Sequence, residues 1–404
     1  MIHFLPLGNS NATPLGPPAL ERRNPFNTGR SKSRELNHLF VSNVRFWSMV
    51  GIIAVHCTET FAVIRGGHWQ IMPVLTTPFK FGTIGFFLIS GFLLGERVDR
   101  RSPLEYFMRR VKRVFVPWLL WLCIMCGVLV SHRMLAPDLN QTASHGIMAA
   151  TLDAMKFCLL DTAFWFVPNL LICIAVLLVF RRHLYSLKLG AALLLVNLVY
   201  VVNIYTLWFP SRHTVALFAF VFYLWLGSYA AQNFEKIGSF LVRTPTALLL
   251  TLSVLTGVAA YYETCHLIRL NNPDPFNTLR LSNQIFSIFV VLLIFKCTRA
   301  TWPSMVDVRR NTFGLYLAHG VVLTFLLYPI KRIHPPAMNS VLVADTASVL
   351  LWVVISSLTY LICLGVTKWL GNKPSLEWMV GLSAQDVRRS QDNVPLNRAE
   401  LVQT

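Results

Sequence analysis

The chain has 404 residues, of which 54% are hydrophobic and only 13% charged, more apolar side chain than a soluble globular domain of this length carries. That balance excludes an ordinary soluble enzyme and points to lipid. The net charge of +18 would suggest nucleic acid in a soluble protein, but in a membrane chain it reports topology first, and no nucleic-acid partner is expected.

Residues 1–38 are rich in Asn, Pro, Ser and Arg with little apolar periodicity, and read as a flexible cytoplasmic N-terminal tail. The first twenty residues hold no basic start and no long apolar stretch, so no cleavable signal is expected. Apolar runs then follow at 41–61, 79–95, 114–130, 163–180, 189–208, 214–231, 247–262, 283–295, 312–328 and 348–369. Crossing a bilayer core of about 30 Å takes about 20 helical residues. The predicted fold is therefore an all-α membrane protein of about ten transmembrane helices, one domain over 39–372 with a cytoplasmic C-terminal tail at 373–404. The run at 283–295 is short, which implies tilting or local thinning of the bilayer.

The connections at 96–113, 181–188, 232–246 and 296–310 carry twice the Lys and Arg of the alternate connections. By the positive-inside rule they and both termini face the cytoplasm. The outward connections at 131–162 and 263–282 are long, as functional loops tend to be, and are candidates for an outward vestibule. Within the first, Ser144 to Met155 suits a short helix at the interface. Cys158 and Cys265 lie in these connections, and spacing alone leaves a disulfide between them open.

Ionisable groups inside a span are costly and mark function by default. The first span contains Arg45, His56 and Glu59. At about 100° per residue, eleven residues return to within roughly 20° of the same face after a rise of roughly 16 Å, so Arg45 and His56 are expected to face one cavity. Glu59 follows His56 by one turn and can accept a hydrogen bond from the imidazole. This suits a general base with a carboxylate behind it, reached by an anionic donor that a cation anchors; a transient acyl-imidazole is also reasonable. The alternative is a snorkelling arginine beside a satisfied His–Glu pair.

Before the third span the chain reads Arg109-Arg110-Val111-Lys112-Arg113. Arg110 and Arg113 share a helix face and could clamp phosphates, although positive-inside anchoring and anionic membrane lipid would explain the same charges. The small residues of Gly85 to Gly95 point to close helix packing. Trp165-Phe166 opens the fourth span where an aromatic belt is expected, and Tyr316 with His319 puts a second imidazole in the ninth. No Gly-rich phosphate loop, His-Glu-x-x-His or Gly-x-Ser-x-Gly pattern is present, so ATP-driven transport and zinc chemistry lose support and no metal is expected.

Taken in order, five motifs resemble the acyltransferase-3 family of bacterial integral-membrane O-acyltransferases, over about residues 40–370. They are Arg45 with His56, Phe86 to Gly91, Arg110 with Arg113, Trp165-Phe166, and Gly314 to His319. The resemblance implies His56 as catalytic and Arg45, Arg110 and Arg113 as contacts of a cytosolic acyl-CoA donor such as acetyl-CoA. It also implies a stand-alone enzyme of the cell inner (cytoplasmic) membrane, acting on an envelope glycan or glycolipid acceptor. Glu59 is added as catalytic on geometry alone. The competing reading is an anion or proton-coupled transporter using Arg45, His56 and Glu59.

Overall fold

The computed structural model describes residues 26–64, 71–98, 102–135, 147–297, 306–332 and 341–382. The helices are α1 (Phe26–Ile64), α2 (Met72–Thr76), α3 (Gly82–Gly95), α4 (Pro103–Leu135), α5 (Ile147–Asp161), α6 (Phe166–Val179) and α7 (Leu187–Thr206). They continue with α8 (Val221–Gln232), α9 (Phe234–Arg243), α10 (Thr246–Arg269), α11 (Leu281–Lys296), α12 (Val308–Arg332) and α13 (Val341–Gly371). No strand occurs among the described residues.

Six helical stretches are long and apolar enough to span a bilayer: His38–Thr60, Met72–Gly95, Pro103–Ser131, Leu187–Thr206, Thr246–Arg269 and Ser348–Gly371. Ile147–Asp161 with Ala163–Val179 makes a seventh if the pair, bent by 71°, is one span. The protein is an all-helical, multi-pass membrane protein. Each of the ten predicted runs falls on a helix, but the helices α6, α8 and α11 are only 14, 12 and 16 residues long. At 1.5 Å per residue such helices fall short of the full hydrocarbon thickness. α6 and α8 are core helices enclosed by protein, whereas α7, α10 and α13 expose Leu195, Val254, Leu255 and Leu361 as lipid-facing helices do. α1 begins at Phe26, well before the first apolar run.

α3 is apolar on every side, so it must be buried all round, and it packs most extensively against α8. The backbones touch at two glycines: a Cβ on Gly91 would run into the carbonyl of Leu224, and one on Gly227 into that of Leu88. The Ser228 hydroxyl donates to the Gly91 carbonyl at 2.8 Å across the same contact. The small-residue stripe of the second apolar run is thus a packing device. α1 lies on α3 and α12, which carries Arg45, His56 and Glu59 through the middle of the bundle.

The short turn Ala163–Trp165 between α5 and α6 is fixed from three directions. Thr162 caps it, accepting from the Phe164 N–H; the Trp118 indole donates to the Phe164 carbonyl at 2.9 Å; and the Tyr316 hydroxyl donates to the Ala163 carbonyl at 2.6 Å. Buried aromatic side chains of this kind keep a polar partner. The loop 270–280 is held by Arg280, fully buried, which donates to the carbonyls of Asn277 and Ala260 and to the Thr264 hydroxyl. Asn277 ties that loop to the turn before α8 through the Ser211 carbonyl at 2.6 Å. Cys158 and Cys265 form no disulfide: both are free, and Cys158 sits buried with its Sγ 3.7 Å from that of Cys126.

Candidate active site

His56 and Glu59 meet as their spacing predicts. The imidazole Nδ1 lies 3.0 Å from Glu59 Oε2. A carboxylate only accepts, so Nδ1 carries the proton and Nε2 of the neutral ring keeps its lone pair. The other carboxylate oxygen accepts from Lys80 Nζ at 3.3 Å, and Lys80 is itself only 6% exposed. Glu59 is thereby held on both oxygens, orienting the ring and standing ready to stabilise an imidazolium.

These three side chains line a cavity of about 230 Å³. Its walls come from the end of α1, the turn before α3, the end of α5 at Asp161, Trp165, the turn at Arg212 to Thr214, and Pro273, Asp274 and Thr278. Both long connections, 131–162 and 263–282, therefore contribute to the cavity that holds His56. Each carboxylate in its wall is paired: Glu59 as described, Asp161 with Arg212 at 2.7 Å, and Asp274 with His213 at 2.8 Å. Burial alone would raise the Asp274 carboxyl, but the neighbouring His213 and Lys80 hold it below the ordinary value.

A second cavity, of about 190 Å³, lies toward the start of the α1 span. Arg45, Arg110, Arg113 and Arg309 line it together with Ser90, Thr312, Tyr316 and Phe166, and among the described residues no acidic side chain lines it. Arg110 Nε is buried there without a hydrogen-bond partner. Not all of the basic run goes this way, since Arg109 pairs with Glu105 at 2.7 Å outside the cavity. Four guanidinium groups around one space have the charge and the donor geometry that suit a polyanion.

Arg45 and His56 were expected to face one cavity, and here the structure differs. They share a helix side, but the rise between them places them in separate spaces. Aromatic rings bridge the gap. The His319 ring lies 5.3 Å from that of His56 and 5.9 Å from that of Tyr316, and Tyr316 lines the arginine cavity. His319 is buried, donates through Nδ1 to the Tyr316 carbonyl at 2.5 Å, and leaves Nε2 without a partner. Phe166 lines the arginine cavity while its neighbour Trp165 lines the other.

A family model described as an acyltransferase domain matches residues 38–368. The chain belongs to the acyltransferase-3 family. Apart from Gly381 of the arginine cavity, every residue that lines the two cavities lies inside the matched region. Among curated proteins the chain is similar to the probable poly-beta-1,6-N-acetyl-D-glucosamine export protein of Staphylococcus aureus strains MSSA476, MRSA252 and MW2. Each is 26% identical over 125 residues, 30% of this chain and 33% of the relative. The match thus spans about a third of the length of these relatives. No solved structure gives a match.

Sequence reasoning missed several of the cavity residues. Lys80, the sole charged residue of the apolar run at 79–95, carried a usable signal, since an ionisable group inside a span is functional by default. Arg309 was visible only as one more cytosolic charge, and Arg212, His213 and Asp274 sit in connections where nothing local marks them. Among the described residues no cluster of three or more His, Cys, Asp or Glu is arranged to hold a metal ion.

Proposed function

We propose that this acyltransferase moves an acyl group, acetyl in the simplest case, from cytosolic acyl-CoA to a hydroxyl of an envelope glycan or glycolipid on the far side of the inner membrane. The observation that carries the reading is the division of labour along α1. A cavity lined by four arginines and, among the described residues, by no carboxylate lies at one end, and a charge-balanced cavity with a carboxylate-backed imidazole lies at the other.

In this reading Arg45, Arg110 and Arg113, joined by Arg309, hold the phosphates of coenzyme A, with the unpartnered Arg110 Nε available to an oxygen acceptor. With both termini in the cytoplasm, as the positive-inside rule expects, this cavity lies on the donor's side. The pantetheine arm then runs along the Tyr316 and His319 wall and brings the thioester toward His56. His56 Nε2 removes the proton of the acceptor hydroxyl as its oxygen attacks the thioester carbonyl; the C–S bond breaks, the ester forms, and the thiolate leaves as CoA with a proton returned by the imidazolium. Glu59, fixed by Lys80, orients the ring and stabilises its charged form. The glycan class is suggested by the polysaccharide in the name of the Staphylococcus aureus relatives.

The word export in that name supports a second reading, in which the chain carries a glycan or anion without chemistry. Release of free CoA by the purified protein in lipid separates the two. Wild type and His56→Ala are compared with acetyl-CoA, with and without an envelope glycan extract. Glycan-dependent release that disappears in the variant supports the acyltransferase; binding of acetyl-CoA or glycan with no release of CoA under any acceptor favours transport.

A further inference from the structure

The cavity around His56 contains a second imidazole–carboxylate pair that the reaction above does not use. His213 comes from the turn before α8 and Asp274 from the loop after α10, so the pair joins two segments distant in the chain. Nδ1 of His213 lies 2.8 Å from Asp274 Oδ2, and the backbone N–H of His213 donates to the same oxygen at 3.2 Å. Asn277 Nδ2 donates to it as well, at 3.0 Å. Three donors on one carboxylate oxygen fix the ring, and with Nδ1 donating, Nε2 is left as an acceptor. The side chains of His213 and Asp274 are 18% and 14% exposed, so the pair is sheltered while still lining the cavity. Trp165 packs edge-on against the His213 ring with centroids 5.4 Å apart and lines the same wall.

The charge pattern of that wall limits what it can take. Lys80 is committed to Glu59, Arg212 to Asp161 and His213 to Asp274. A charged acceptor group would have to break one of these pairs or enter without a partner, and either outcome disfavours it against an uncharged one. A neutral polyol meets no such cost, and an aromatic side chain beside hydrogen-bonding groups suits the mixed polar and apolar surface of a sugar ring.

We propose that this cavity is a subsite for an uncharged pyranose, in which His213, backed by Asp274, accepts a hydrogen bond from a second hydroxyl of the acceptor while His56 acts on the first. The inference rests on the acyltransferase reading above and adds to it the acceptor's charge class and the residue that registers it. His213 is a binding residue in this scheme; Asp274 acts through it.

The test uses the full chain in lipid nanodiscs with radiolabelled acetyl-CoA and three oligosaccharides of equal length: β-1,6-linked N-acetylglucosamine, its de-N-acetylated cationic form, and a uronic-acid oligosaccharide. Wild type is expected to use the neutral one with a KM at least about tenfold below the others. In His213→Ala the acceptor KM rises about tenfold, the loss expected for one buried hydrogen bond, kcat falls by less than the KM rises, and the KM for acetyl-CoA stays within about twofold. His213→Gln, which keeps an acceptor atom without titrating, recovers much of the acceptor KM. A merely structural brace predicts the opposite: kcat and both KM values shift together and Gln gives no rescue, which overturns the assignment. A His213→Ala protein that does not fold leaves the decision to His213→Gln and the wild-type panel. A wild type that turns over acetyl-CoA but prefers a charged oligosaccharide, or is stimulated by none of the three, also overturns it. If wild type releases no CoA at all, the acyltransferase reading itself fails.

Discussion

The two cavities differ most in how their charges are matched. At one end of α1, Arg45, Arg110, Arg113 and Arg309 surround a space that, among the described residues, no acidic side chain lines; at the other, Glu59, Asp161 and Asp274 each face a cation or an imidazole. A wall of one sign favours a ligand of the opposite sign, and a wall of paired charges is disturbed by a charged one. The comparison teaches that the proposed donor and acceptor ends differ in the charge of their linings before any ligand is seen.

The largest effect should come from the reacting centre. His56→Ala should lower glycan-dependent CoA release by about a hundredfold to ten-thousandfold, the range for loss of a general base, while acetyl-CoA binding changes little. Steady-state release in nanodiscs with a parallel binding assay would show it, and a loss of binding instead of turnover would blur the division between the ends.

Next in size is the donor end. Arg110→Ala should raise the KM for acetyl-CoA by about tenfold to a hundredfold, the worth of a hydrogen bond to a charged group, and leave the acceptor KM alone. The sharper version replaces the donor: with acetyl-pantetheine, which lacks the nucleotide phosphates, wild type and Arg110→Ala should become equivalent. An undiminished difference would mean that Arg110 does not act on phosphate.

Glu59→Gln should cost about tenfold to a hundredfold in kcat, because the amide oxygen can still accept from Nδ1 but no longer offsets an imidazolium. The KM for acetyl-CoA should not follow; if it did, Glu59 would belong to the donor end.

The smallest effect concerns Asp274, whose carboxyl is held below its ordinary value. A depressed carboxylate stabilises the fold above the ordinary range near about pH 4, and that contribution is lost as pH falls through the folded value. The melting temperature of wild type should exceed that of Asp274→Asn just above the ordinary carboxylate range near about pH 4, and the margin should close on further acidification. A margin that widened toward acid would reverse the sign.

Much of this was legible in the sequence, for reasons that differ by residue. The helical repeat alone brings Glu59 to His56, since one turn separates them, and Arg110 and Arg113 share a face for the same reason. Apolar runs located the helices because each is set by local composition. The same arithmetic failed for Arg45 and His56, because a shared helix face says nothing about what other helices insert between two levels; here Tyr316 and His319 of α12 and Phe166 of α6 occupy that space. Among the described residues six or seven stretches are long and apolar enough to cross where the runs number ten, since enclosed helices such as α6 and α8 are as apolar as lipid-facing ones. His213 and Asp274 were invisible for a further reason: their meeting depends on a loop fixed by Arg280 and Asn277, a tertiary event with no local periodicity.

The most direct test of the division along α1 is transfer across a sealed bilayer. The protein is reconstituted in proteoliposomes with a neutral glycan trapped on the side of the His56 cavity, and radiolabelled acetyl-CoA is supplied only to the side of the arginine cavity. The account predicts acylated glycan in the lumen, free CoA outside, and neither product with His56→Ala. Product that forms only when donor and acceptor share one side, or intact acetyl-CoA or glycan crossing without ester formation, would contradict it.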